Sequence, residues 1–247
     1  MHNFFILDQA SATAQQTIKR TTGRDVILDL TNRLLKIFRV KYHVVPSLNP
    51  VVDMTTVEQR INFFHLLDAV IANHVRGDVV ELGCFTGQCA LLFQQVIAMH
   101  QSAKTLHLYD SFEVKFSVKT SVEEVLSKKF QQAHLPLPVL HKGYFEKTVP
   151  AELPDEISFA HLDCGFGGAP LLHKQVVLHC LQSVYSRMSS GAVCVLMDYY
   201  TQAVGTVEYG SENPGVQLAC DEFLADKPEK IVALYGNQYA HGFFRKL

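Results

Sequence analysis

Short apolar segments alternate with helical patterns from Asp78 to the end of the chain, and this alternation constrains the fold most. Strands are expected at 78–82, 105–110, 137–145, 157–163, 191–200, 230–236 and 239–247. Helices are expected between them at 87–100, 121–133, 170–187 and 214–226. Short buried strands that alternate with helices indicate a mostly parallel sheet covered on both faces. The last two strands leave no room for a helix between them, so they should form an antiparallel hairpin.

The first 76 residues have a different, helical character. Apolar residues recur at helical spacing over 25–40, and Pro46 and Pro50 then interrupt the pattern. Thr55 or Thr56 can cap a second helix over 57–74. We therefore divide the chain into an N-terminal helical extension or lid, 1–76, and an α/β domain, 77–247. The apolar residues of helix 57–74 favour packing in the core or in a homodimer over a lid.

Composition and charge narrow the classes of partner. The net charge of −2 gives no general electrostatic reason to expect nucleic acid or an anionic membrane as partner. The sequence has no apolar run of the ~18 residues that a membrane span needs, and its N-terminus lacks the pattern of a signal peptide. The six cysteines form no CxxC pair, which favours reduced thiols in a cytoplasmic protein.

The stretch "DVVELGCFTGQCALLF" is the first candidate site. The strand ends in Glu81, and Gly83 and Gly87 follow in the turn before a helix. In open α/β sheets, ligands bind beyond the carboxyl ends of the strands, and an acid there can attract a cation. The spacing E-x-G-x-x-x-G is not the G-x-G-x-x-G fingerprint of dinucleotide sites, which argues against an NAD-dependent enzyme. A plain tight turn between strand and helix remains the alternative.

Asp110 ends the second strand in the same way. A carboxylate at this point is well placed to bind two ribose hydroxyls through charge-assisted hydrogen bonds. It could equally cap the following turn, which is common for Asp. Glu81 and Asp110 at adjacent strand ends are together more specific than either residue alone.

An ordered series of segments resembles the class I S-adenosylmethionine-dependent methyltransferases, and among them the macrocin O-methyltransferase (TylF/MycF-like) family. The first is "VEQRINFFHLLDAVIANHVRGDVVELGCFTGQCA" at 57–90. It is followed by "YDSFE", "KGYFEKTVP", "LDCGFGGAP", "SSGAVCVLMDYY" and "ACDEF", which fall where that family has comparable motifs. The resemblance covers residues 50–247 and leaves the N-terminus unexplained.

The resemblance implies a Rossmann-like class I methyltransferase fold with S-adenosylmethionine as cofactor. It also implies an O-methyltransferase that acts, with Mg²⁺ assistance, on a hydroxyl of a sugar or other small, often glycosylated, natural-product acceptor. Glu81, Gly83 and Cys84 would then line the methionine part of the cofactor, and Asp163 would lie beside it. Asp110 would bind the ribose, with Ser111 and Phe112 near the adenosine. Gly143 and Tyr144 would border the adenine.

A hydroxyl is a poor nucleophile, so methyl transfer needs a base or a metal that lowers the hydroxyl pKa. Asp163 and Asp198, at the ends of the fourth and fifth strands, are the candidates for base and for Mg²⁺ ligands. Their alternative role is that of strand-end caps. His161, His173 and His241 are substitutes for the base, and His173 is the first to test because its loop meets the active edge.

The chain also departs from the family pattern. Gly165 and Gly167 replace an Asp and a Tyr, and Met197 replaces the first Asp of a "DDY" motif. Each metal-binding motif therefore loses one carboxylate, which weakens the case for Mg²⁺. The departures support a second hypothesis, in which a protein of this fold binds the cofactor but has lost or altered catalysis.

Overall fold

The computed structural model describes residues 23–42, 44, 55–116, 118–164, 169–200, 213–234 and 240–247. Its helices are α1 Gly23–Ile37, α2 Val57–Ala72, α3 Gln88–Met99, α4 Val122–Gln132, α5 Phe145–Thr148, α6 Pro170–Arg187 and α7 Pro214–Leu224. Its strands are β1 Asp78–Leu82, β2 Leu106–Asp110, β3 Val139–Lys142, β4 Ile157–Leu162, β5 Met188–Met197, β6 Val232–Leu234 and β7 His241–Arg245. Pro46, Pro50, Gly165, Gly167 and most of the loop after Asp198 lie outside the described residues.

The seven strands form one sheet in the order β3-β2-β1-β4-β5-β7-β6. The first five pair in parallel, and β7 pairs antiparallel with both β5 and β6. The predicted α/β fold and antiparallel C-terminal hairpin are confirmed. The sequence did not predict that β7 lies between β5 and β6, because the residue pattern of a strand does not determine which strand it pairs with. From β1 the chain adds β2 and β3 on one side of β1, and it then crosses to β4 on the other side. The carboxyl ends of β1 and β4 therefore flank the switch point where such sheets bind ligands.

Hydrophobic clusters cover both faces of the sheet. Successive residues of a strand point to opposite faces, and accordingly Val80 packs with α6 and α7 whereas Val79 packs with α2, α3 and α4. A buried strand is therefore packed against an apolar cluster on each face of the sheet. This double coverage fixes the strand ends at which the candidate site residues lie.

Helix α2 is part of the second cluster. Thr56 caps it in a reciprocal capping box with Gln59, which agrees with one of the two predicted caps. Phe63, Leu67 and Val70 are wholly buried against the sheet and α3. The expectation that its apolar residues pack in the core is thus confirmed, while the homodimer, the lid and the domain boundary at residue 76 stay predictions. None of the described helices combines the length and apolarity that crossing a membrane requires.

Candidate functional site

A cavity of about 280 Å³ opens at the carboxyl edge of the sheet. Its lining includes residues from β1 and β2, from the turns that follow β1 and β3, and Asp163, which comes directly after β4. The predicted site residues along its wall are Glu81, Gly83, Cys84, Asp110, Ser111, Gly143, Tyr144 and Asp163. Residues distant in sequence therefore meet here because the parallel strands end at one edge.

The turn after β1 requires glycine at its first position. Gly83 has a φ of +86°, and a Cβ on it would lie 1.9 Å from the carbonyl oxygen of Asp163. Its N–H donates to the carbonyl of Tyr109 at 2.8 Å, and the N–H of Asp163 donates to the carbonyl of Leu82 at 2.9 Å. The glycine thus lets the ends of β1, β2 and β4 come together beneath the cavity.

The Asp110 carboxylate clamps this turn. Its Oδ2 accepts the backbone N–H groups of Cys84 and Phe85 at 3.0 and 2.9 Å. Its Oδ1 accepts the N–H of Phe112 at 2.8 Å. A carboxylate offers about four acceptor positions, so these three hydrogen bonds leave about one position. Of the two alternatives weighed for Asp110, the cap of its own turn is confirmed, and the binding of ribose hydroxyls stays a prediction.

Glu81 forms a buried pair with His161 on the adjacent strand. The Oε1 atom lies 2.9 Å from His161 Nδ1, and the two side chains are 2% and 0% exposed. Burial raises the pKa of Glu81, and the hydrogen bond with His161 opposes that rise. Among the described residues, Glu81 Oε2 has no hydrogen-bond partner. The sequence suggested His161 only as a substitute base and did not indicate this pairing.

Asp163 lies at the cavity, and its pKa is raised from 3.8 to about 7. Burial is the main cause, and the negative charge of Asp198 adds to it while His161 opposes it. Asp198 has a φ of +60°. Its Oδ2 accepts a hydrogen bond from Asn213 Nδ2 at 2.6 Å. The two predicted carboxylates are thus close enough to interact electrostatically.

Phe112 and His173 are buried and are not among the residues that line the cavity. Phe112 is 6% exposed and packs in the hydrophobic cluster with α3 and α4. His173 is buried in the first turns of α6, and its Nε2 lies 2.9 Å from the carbonyl oxygen of Cys164. This contact ties α6 to the residue that follows Asp163. The proposed roles of Phe112 near the adenosine and of His173 in catalysis stay predictions.

Phe85, Phe116 and Cys89 also line the cavity and were not predicted from sequence. Phe85 and Phe116 contact each other edge to face, with ring centroids 5.1 Å apart, at the same cavity. Tyr144 Oη donates to Glu113 Oε2 at 2.7 Å at its exposed mouth. Cys89 lies within reach of Glu81 and His161, with possible ligand atoms all within 4.8 Å of one another. This nitrogen, sulfur and carboxylate set differs from the all-oxygen set that Mg²⁺ prefers.

Solved structures of O-methyltransferases share this architecture. The O-methyltransferase NovP has 19% sequence identity and a TM-score of 0.65, with 90% of this chain and 98% of that chain covered. The TDP-rhamnose 3′-O-methyltransferase CalS11 has 17% identity and a TM-score of 0.54, with 93% and 99% covered. An O-methyltransferase from Bacillus cereus in complex with SAH has 12% identity and a TM-score of 0.55, with 95% and 97% covered. At these identities the likeness is one of fold, and the fold is that of the class I methyltransferases.

The sequence identifies the family within that class. The family model for macrocin-O-methyltransferase (TylF) matches residues 13–134, about half of the chain. Over these residues the chain matches the macrocin O-methyltransferase family, a family of methyltransferases. No curated protein sequence matches it.

Proposed function

We propose that this protein transfers a methyl group from S-adenosylmethionine to a hydroxyl of a small natural-product or sugar acceptor. The observation that carries the proposal is the meeting of Glu81, Gly83, Asp110 and Asp163 at one cavity beside the switch point. The match to the family model supports methyl transfer, and the named acceptor of CalS11, TDP-rhamnose, supports the acceptor class. TomG, another O-methyltransferase of this fold, was solved with SAM and acts in tomaymycin synthesis.

The cavity residues fit the proposed cofactor. Glu81 Oε2, buried and without a partner among the described residues, suits the ammonium group of the methionine part. The remaining acceptor position of Asp110 suits a ribose hydroxyl, and the absence of a side chain at Gly83 allows close approach to the backbone. When bound, S-adenosylmethionine supplies a methyl group on a positively charged sulfur.

Asp163 is the proposed base. A pKa near 7 means that the carboxylate is substantially ionised at neutral pH yet still basic enough to accept a proton. In the proposed reaction the acceptor hydroxyl gives its proton to a carboxylate oxygen of Asp163 as its oxygen attacks the methyl carbon. Asp198 keeps this pKa high through its negative charge, and His173 positions the following residue, Cys164.

Asp163 and Asp198 also remain the proposed ligands for Mg²⁺. Two interacting carboxylates suit a hard divalent cation, but Met197 stands where the family has a further carboxylate. Methyl transfer that rises with Mg²⁺ and falls with EDTA is the result expected for a metal site. Turnover that is indifferent to both would remove Mg²⁺ from the proposal without affecting the cofactor site.

The test has two stages. Isothermal titration should detect binding of S-adenosylmethionine and S-adenosylhomocysteine to the folded wild-type protein; no binding of either would refute the proposal. A screen of hydroxylated acceptors, including nucleotide-linked sugars, should then yield a methylated product that Asp163→Asn abolishes.

Met197 favours a second candidate function, cofactor binding without this chemistry, because it removes a carboxylate from the site. Cofactor binding with no product from any acceptor would support that candidate. A product lost in Asp163→Asn would exclude it. The proposal also includes a homodimer, a cytoplasmic location and an N-terminal extension over 1–76. Light scattering of the purified protein tests the homodimer.

A further inference from the structure

The side chain of His161 is held next to Glu81, which lines the cavity. It is wholly buried in the middle of the sheet, on β4. The rings of Phe63 and Phe93 contact its imidazole edge to face, with centroids 4.9 and 5.3 Å away. These contacts come from α2 and α3, so the ring is held between two helices and cannot turn without disturbing the core.

The fixed ring in turn determines where the Glu81 carboxylate points. With Glu81 ionised, His161 Nδ1 carries the proton and donates it to Oε1 at 2.9 Å. That bond occupies one carboxylate oxygen and leaves the other, Oε2, without a partner among the described residues. A carboxylate held in one orientation binds a cationic group without first losing side-chain freedom.

We infer that His161 is a positioning residue, which holds Glu81 so that Oε2 receives the ammonium group of the amino-acid part of the cofactor. The inference rests on the proposed function, because it presupposes that S-adenosylmethionine binds in this cavity. It gives His161 a role other than that of a base. It also predicts that His161 affects the binding of the amino-acid part of the cofactor and not the binding of the adenosine part.

Two ligands separate these parts. S-Adenosylhomocysteine carries the adenosine and the amino-acid group, whereas 5′-methylthioadenosine carries the adenosine and sulfur but no ammonium group. His161→Leu removes the donor to Glu81 and should weaken S-adenosylhomocysteine binding roughly tenfold or more, since a hydrogen bond to a charged group is lost. Binding of 5′-methylthioadenosine should change less than about twofold. His161→Asn, whose side-chain N–H can replace Nδ1, should restore most of the affinity.

Controls distinguish positioning from general loss of packing. Phe159→Leu removes packing from the same face of the same strand, where Phe159 contacts Phe93, and should affect the two ligands equally. In a Glu81→Gln background, His161→Leu should cause little further loss of S-adenosylhomocysteine affinity, because the group that it positions is already changed.

Equal weakening of both ligands by His161→Leu, or no rescue by His161→Asn in a folded protein, would overturn the inference alone. A wild-type protein that binds neither ligand would instead refute the proposed function. If EDTA treatment of the wild type alone abolished its preference for S-adenosylhomocysteine, the inference would also fail, in favour of a metal ion held by Glu81, Cys89 and His161.

Discussion

Replacing Asp163 by Asn should stabilise the fold at neutral and alkaline pH while abolishing methyl transfer. Burial and the charge of Asp198 raise the pKa of Asp163 in the folded protein to about 7, whereas its ordinary value is 3.8. The folded state therefore retains a proton that the unfolded chain has already released. Stability is lost as the pH rises from about 4 through 7, because ionising Asp163 in the fold costs free energy.

The size of the effect follows from the two pKa values. A shift of about three pKa units corresponds to roughly 4 kcal/mol when the pH is above both values. Between pH 5 and pH 8, linkage assigns about 3 kcal/mol of lost stability to this one group. Asn has nearly the shape of the protonated carboxyl and does not titrate, so Asp163→Asn should lack this part of the pH dependence.

Urea denaturation of the wild type and of Asp163→Asn at pH 5 and pH 8 measures the difference. The wild type should lose about 3 kcal/mol more than the variant between these pH values. Asp155→Asn is the matched control, because the Asp155 side chain is fully exposed and should behave as the wild type does. Identical pH dependence in the wild type and Asp163→Asn would refute the argument that the surroundings raise the pKa of this carboxyl.

Three further variants test other parts of the site. Asp198→Asn should lower the pKa of Asp163, because it removes a nearby negative charge. The rising limb of the pH–rate profile should therefore move to lower pH. An unmoved limb would show that the charge of Asp198 does not affect the pKa of Asp163. Gly83→Ala should lower the free energy of unfolding, measured by urea denaturation, by at least ~3 kcal/mol. The reasons are that a Cβ would clash with the Asp163 carbonyl oxygen and that the φ of Gly83 is +86°. A near-native denaturation midpoint would contradict this close approach. Asp110→Ala should cost about 3 kcal/mol of stability, since three backbone N–H groups lose their acceptor, whereas Ser111→Ala should cost much less.

The amino-acid sequence alone determined the order and type of the elements and the residues at the strand ends. Periodicity predicted β1 over 78–82 and α6 over 170–187 with the bounds that the structure shows. The placement of Glu81, Asp110 and Asp163 at the cavity also followed from sequence, because parallel strands end at one edge. These features depend on local patterns, which a single segment carries within itself.

Tertiary structure decided which partners those residues meet. It placed β7 between β5 and β6, paired Glu81 with His161 from another strand, and occupied three acceptor positions of Asp110 with backbone N–H groups. It also raised the pKa of Asp163 above the ordinary value of an exposed Asp. Strand neighbours, buried pairs and desolvation arise only when segments far apart in the chain pack together. The pattern of any one segment predicts its burial but not the group that it will contact.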